Sequence, residues 1–226
     1  LNTTDYTYKV TKEATCTADG TRRYTWKTTT YGSFYFDVTI SKTGHSYTYT
    51  ADDVADTITE TCANNCGHSA TLTLYAPTNL TYDGETKAAV VNGELKNAVG
   101  VVTYKQGEDA LTETPVNAGT YTATLTVGEV TVSVKFAIAK ATPAVTAPEG
   151  LTATYGNTLS DVVLPEGWAW EDSTASVGDA GKQTFNAIYT HSDSANYETV
   201  TMQVTVVVEK TASSVDTIPA AVSGLI

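Results

Sequence analysis

Methionine occurs once in 226 residues, proline six times and phenylalanine four times. Basic residues are also scarce: 13 Lys and Arg stand against 25 Asp and Glu, a formal net charge of -12. That balance excludes duplex nucleic acid and anionic lipid as natural partners, because both require phosphates to be neutralised by Lys and Arg. No apolar run approaches the length of about 18 residues that a membrane-spanning helix needs, so no such helix and no direct membrane insertion are expected. Catalytic signatures are missing as well. There is no Gly-x-Ser-x-Gly, no His-Glu-x-x-His and no phosphate-cradling glycine loop, and the three histidines are scattered. Acidic pairs such as Glu108-Asp109 and Glu171-Asp172 sit in turn-like polar contexts, so no enzyme is expected and no cofactor is called for.

Threonine makes up about one residue in five, and Tyr and Val are common. These side chains suit a pleated, half-wet surface and are poor helix formers. At 41% hydrophobic residues the chain has enough apolar material for packed cores, which excludes wholesale disorder. An all-β protein follows.

Strand signals are strongest where alternation is strict. Val130, Val132, Val134, Phe136 and Ile138 alternate with Glu129, Thr131, Ser133, Lys135 and Ala137, and Tyr121, Ala123, Leu125 and Val127 alternate with threonines just before. One face of each strand is thereby destined for a core. Gly128-Glu129 between them fits a two-residue type II′ hairpin with glycine first. Phe185, Ala187 and Tyr189, then Val200 to Val208, follow the same grammar, as do Phe34, Phe36, Val38 and Ile40.

Charge divides the chain into residues 1–49 at +2, 50–142 at -6 and 143–226 at -8, with proline-containing linkers near the second boundary. A divergent repeat is visible. Ala76-Pro77-Thr78-Asn79-Leu80-Thr81-Tyr82 parallels Ala147 to Tyr155, and Val116-Asn117-Ala118-Gly119 parallels Val177 to Gly181. We expect tandem small Ig-like β-sandwich modules in an elongated arrangement, with β-grasp-like modules as the alternative. The expected boundaries are 1–56, 57–142 and 143–210, with an extended tail at 211–226. Modules this small bury a modest fraction of their surface and gain from a covalent or metal staple.

Three side-chain groups are candidates for chemistry. Cys16, Cys62 and Cys66 with His68 (or His45) could form a tetrahedral Cys₃His site for structural zinc. A disulfide among the three cysteines ranks ahead of it, and free thiols remain open too. Trp168 and Trp170, two residues apart on one strand, share a face and could carry a sugar ring together with Tyr197; packing into a core is the plainer reading. Asp52, Asp53 and Asp56 could hold Ca²⁺, although a solvated turn explains them as well.

The stretch Leu151 to Val162, then Leu164-Pro165-Glu166-Gly167-Trp168-Ala169-Trp170 and Val177-Gly178-Asp179-Ala180-Gly181, resembles the MBG-type repeats, short all-β modules of large bacterial surface proteins and adhesins. Leu80 to Gly84 with Asn117 to Tyr121 and Ala137 to Ala141 looks like a second variant. Lys12 to Gly20, closing at Thr43-Gly44-His45-Ser46-Tyr47, is similar to another short repeat of the same proteins. That repeat carries a Cys-x-x-Cys after its first Cys, where this chain has Trp26 to Gly32; its own cysteine pair, Cys62 and Cys66, comes later and is one residue wider.

The resemblance implies a non-catalytic segment of a Gram-positive cell-surface or secreted protein, an adhesin stalk or adhesion module. The alternative is a carbohydrate-binding appendage of a secreted polysaccharide-degrading enzyme. Host glycoprotein or polysaccharide is the implied partner and a monomer the implied state. Without an initiator Met or signal segment at Leu1, the chain reads as a piece cut from a longer polypeptide.

Overall fold

The computed structural model describes residues 6–28, 32–64 and 66–211. Tyr31, Asn65 and the expected tail from residue 212 onward lie outside the described residues. Within them the chain is all-β, with fifteen strands in four sheets and a single turn of 3-10 helix. It divides into two compact units, Leu1–Leu80 with Glu85–Ile138, and Thr81–Gly84 with Ala139–Ile226.

The first unit opens with a meander of β1 (Tyr6–Lys12), β2 (Gly20–Thr28) and β3 (Gly32–Ile40). The register places Tyr6 and Tyr8 opposite Trp26 and Tyr24, and these opposite Phe34 and Phe36. Period-two projection therefore gathers six aromatic residues on one face, with Thr7, Lys9, Arg23, Thr25, Tyr35 and Asp37 on the other. Residues 41–46 then lead into a two-sheet sandwich.

One layer of the sandwich is β4 (Tyr47–Asp52), β5 (Thr57–Cys62), β6 (Ser69–Tyr75) and β7 (Val90–Asn92), hydrogen-bonded in that order. The other contains β8 (Val101–Gln106), β9 (Asp109–Leu111), β10 (Gly119–Val127) and β11 (Val130–Ile138), in the order β11-β10-β8-β9. Ile58, Leu72 and Leu74 from the first layer meet Leu125, Val127 and Val132 from the second, with Leu95 closing the core. The expected inward set is the buried set here, because side-chain direction along a strand is local geometry. Gly128 sits at φ +60°, and Val127 pairs with Val130 across the two-residue turn.

The expected boundary at 56/57 cuts a hairpin. Tyr47 to Asp52 pair residue by residue with Cys62 to Thr57, and Asp56 takes φ +52° in the connecting turn. A polar turn marked a change of strand rather than a change of module; the break between the meander and the sandwich falls in residues 41–46.

The second unit holds β12 (Leu151–Thr154), β13 (Trp168–Trp170), β14 (Gly181–Tyr189) and β15 (Val200–Glu209), in the order β12-β15-β14-β13. β12 runs parallel to β15, and the other pairs are antiparallel. Among the described residues this unit has one sheet where 143–210 was expected to fold as a two-sheet sandwich. The single turn at Leu159–Asp161 supplies the missing layer, setting Leu159 and Val162 with Val177 against Val206 and Val208.

Tyr82 N–H donates to the Ala139 carbonyl at 2.9 Å just past β11, and Tyr155 N–H donates to the Glu209 carbonyl at 2.9 Å at the end of β15.

Candidate metal centre

Three loops of the first unit are tied together before any ligand is considered. In the β1–β2 connection, Thr15 Oγ1 accepts the Ala18 N–H at 3.0 Å and closes a tight turn around Cys16. Gly20 leaves no room for a side chain, since a Cβ there would stand 2.4 Å from the Ala14 nitrogen. Thr43 N–H donates to the Thr15 carbonyl at 2.9 Å, and Lys42 N–H to Asp19 Oδ1 at 2.7 Å, which moors residues 41–46 against this loop. Asn64 Nδ2 donates to the Gly44 carbonyl at 2.9 Å and Ala63 N–H to the Ser46 carbonyl at 2.7 Å, which brings in the β5–β6 turn.

Each loop delivers ligands to one point. Cys16 comes from the first, His45 from the second, and Cys62 and Cys66 from the end of β5 and the turn after it. The three Sγ atoms and a His45 ring nitrogen lie within 4.8 Å of one another. Cys16 Sγ and Cys62 Sγ are 3.6 Å apart, and Cys66 Sγ is 3.2 Å from His45 Nδ1. With Zn–S near 2.3 Å and Zn–N near 2.0–2.1 Å, a tetrahedral zinc site separates its sulfurs by about 3.8 Å and sulfur from nitrogen by about 3.5 Å. These two separations sit within a few tenths of an ångström of those values, and the remaining ligand pairs lie within 4.8 Å. Three sulfurs and an imidazole, with no carboxylate in the set, match the borderline-soft preference of zinc. All three cysteines are free thiols.

The thiols are electrostatically unequal. Burial pushes Cys16 up to about 11, with Cys66 and Cys62 adding to the rise. Burial also opposes ionisation of Cys62, but Cys66, His45 and the backbone of Ser46 and Asn64 hydrogen-bond its sulfur and bring it down to about 5. Of Cys16 and Cys62, it is Cys62 whose surroundings favour the thiolate. An incoming cation would displace the proton of Cys16.

His68 lies outside this group, and His45, the alternative to it, lies inside. His68 Nε2 lies 2.9 Å from Glu60 Oε1, which binds it into a different network, and its ring meets His45 and Tyr47 edge-on. Sequence spacing placed His68 beside Cys66, yet the turn after Cys66 sends its side chain toward β5, while Gly44 lets His45 reach the sulfurs. Glu60 itself was not singled out in the sequence. The only signal was its inward position in the alternating run Ile58, Glu60, Cys62.

Of the other candidates, Trp168 and Tyr197 stand along one run of ring contacts that passes through Tyr189 and His191. Trp170 packs on the second unit's core, its Nε1–H donating to the Val162 carbonyl at 3.0 Å and its ring edge-on to Phe185. Trp168 rests on Tyr189, and Tyr197 rests on His191 and Tyr82. Asp52 Oδ1 caps its own turn, accepting N–H groups from Val54 and Ala55. Among the described residues, the Cys16, His45, Cys62 and Cys66 group is the one place where three or more ligating side chains of His, Cys, Asp or Glu converge. No protein-family model matches the chain, and no curated protein matches it either.

Proposed function

We propose that this chain is a non-catalytic structural segment of a bacterial cell-surface or secreted protein, in which a zinc ion clamps the N-terminal meander onto the β-sandwich. The observation that carries this reading is the convergence of four ligand atoms from three separately folded loops within 4.8 Å. Four protein ligands close a tetrahedral shell and leave no position for an activated water, which favours a structural role over catalysis. Such a clamp suits small modules whose own cores are thin. The tandem, extended arrangement of Ig-like or β-grasp-like modules belongs to the same reading, as does a stalk that spaces other domains from the cell wall. Its support is the threonine-rich β composition, the acidic balance and the resemblance of the repeats.

Elemental analysis with thiol titration tests the clamp. One zinc per chain, three cysteines protected from alkylation until a strong chelator is added, and loss of the metal in His45→Ala are the expected results. A metal-free protein with Cys16 and Cys62 joined in a disulfide would overturn it. Small-angle scattering on the whole chain tests the extended arrangement.

A further inference from the structure

Among the described residues the meander β1–β3 is a sheet with one apolar face and no second layer of its own. Six rings stand on that face: Tyr6, Tyr8, Tyr24, Trp26, Phe34 and Phe36. Tyr8 is 62%, Phe34 54% and Phe36 48% exposed. A sheet that is apolar on one side is stable when another layer covers it, and an exposed patch of this kind marks an interaction surface.

Ring geometry narrows the choice of cover. Trp26 stacks on Phe34 at 5.6 Å and 6°, and on Phe36 at 4.9 Å and 21°, while Tyr24 stacks on Phe36 at 5.4 Å and 15°. Parallel rings this close are offset-stacked on one another, so their faces are used up along the sheet and their edges point outward. Flat sugar rings need open aromatic faces. A ridged surface of ring edges instead interdigitates with a second ridged sheet, as in a sandwich core.

The face is also complementary to itself. Its one charged side chain is Arg22, two residues before Tyr24 on the central strand, with Trp26 two residues beyond. A two-fold axis lying between facing sheets and across the strands at Tyr24 sets Arg22 of one copy against Trp26 of the other. Guanidinium then meets indole, and no like charges meet. Arg22 already lies 5.1 Å from the Tyr8 ring centroid, so an aromatic setting suits it. Strands of seven, nine and nine residues give a footprint of roughly 400 Å² per copy at about 3.3 Å rise and 4.8 Å spacing. This is about half of the roughly 800 Å² per partner of a standard interface, which fits a weak, reversible pair.

We infer that the aromatic face of β1–β3 is a self-association surface that packs against the same face of a second copy of this chain. The inference does not depend on the metal, and it replaces the monomer implied by the resemblance.

Sedimentation velocity of the full chain from low micromolar to near millimolar concentration tests it. We expect a concentration-dependent monomer–dimer equilibrium that Phe36→Lys and Phe34→Lys each weaken at least tenfold, with an unchanged circular dichroism spectrum, since both side chains are half exposed. Thr7→Lys on the opposite face leaves the equilibrium unchanged. A monomer over the whole range would overturn the inference, and so would a dimer indifferent to both aromatic replacements. Retardation of the monomer in polysaccharide gels, abolished by the same replacements, would assign the face to sugar and overturn it too.

Discussion

Glu60 is completely buried, a position that a carboxylate holds only when its oxygens are satisfied. Here His68 Nε2 and the Lys96 N–H reach Oε1 at 2.9 and 3.1 Å, and the Asn97 N–H and Tyr49 hydroxyl reach Oε2 at 3.1 and 3.3 Å. Burial works against the charge, yet these donors hold Glu60 below the usual glutamate range. The residue pins the loop at 96–97 to the middle of β5, two residues from Cys62. Glu60→Gln keeps the shape but turns one accepting oxygen into a donor facing another donor. The expected loss is about 2–3 kcal/mol in urea unfolding, the scale of a buried hydrogen bond to a charged group. A loss under half a kilocalorie would mean that the loop is held by packing alone.

Single elements carry their own chemistry. The turn at Leu159–Asp161 is too short to persist by helix propensity, and its first residues are held by Asp161. Asp161 Oδ2 accepts the Thr158 N–H at 2.9 Å and Asn157 Nδ2 at 3.1 Å. The Thr158 backbone, then Asn157, lowers Asp161 below the ordinary aspartate value against a small opposing effect of burial. A carboxyl depressed in the folded state stabilises fully above its unfolded value of about 3.9 and loses that contribution as pH falls through the folded value. The thermal midpoint of Asp161→Asn should therefore lie modestly below wild type at neutral pH, with the gap narrowing as pH falls from about 3.9 through the lower folded value. A gap that stays constant from pH 7 to 2.5 would show that the carboxylate charge is irrelevant to the turn.

Among the described residues the molecule has two separate cores, one closed by Leu125 and Val127 in the sandwich and one by Val177 and Val206 on the single mixed sheet. Units with their own cores unfold as separate transitions. Scanning calorimetry should resolve two, and a zinc chelator should lower only one of them. Leu125→Ala, at a fully buried site in the unit that holds the Cys16, His45, Cys62 and Cys66 group, should lower that same transition at a cost of about 2–5 kcal/mol. If the chelator moved both transitions, the metal would lie outside the first unit or the units would melt as one.

Read along the chain alone, the sequence determined the strands and their inward faces. Alternation of side chains is a property of two neighbouring peptide units, so Tyr121 to Ile138 announces its hairpin, its turn and its buried set without help from the rest of the chain. The same locality hid everything that depends on long-range approach. Strand length and polarity do not say which hairpin a turn closes, so the pairing of β4 with β5 across the expected 56/57 boundary is not legible in them. Cys16 and Cys62 meet across 46 residues of sequence, and His45 replaces His68 because of where two loops happen to be moored. The apolar alternation of Phe34 to Ile40 is legible, but that its face has no second layer among the described residues of the unit is a matter of sheet packing, decided only when the whole chain has folded.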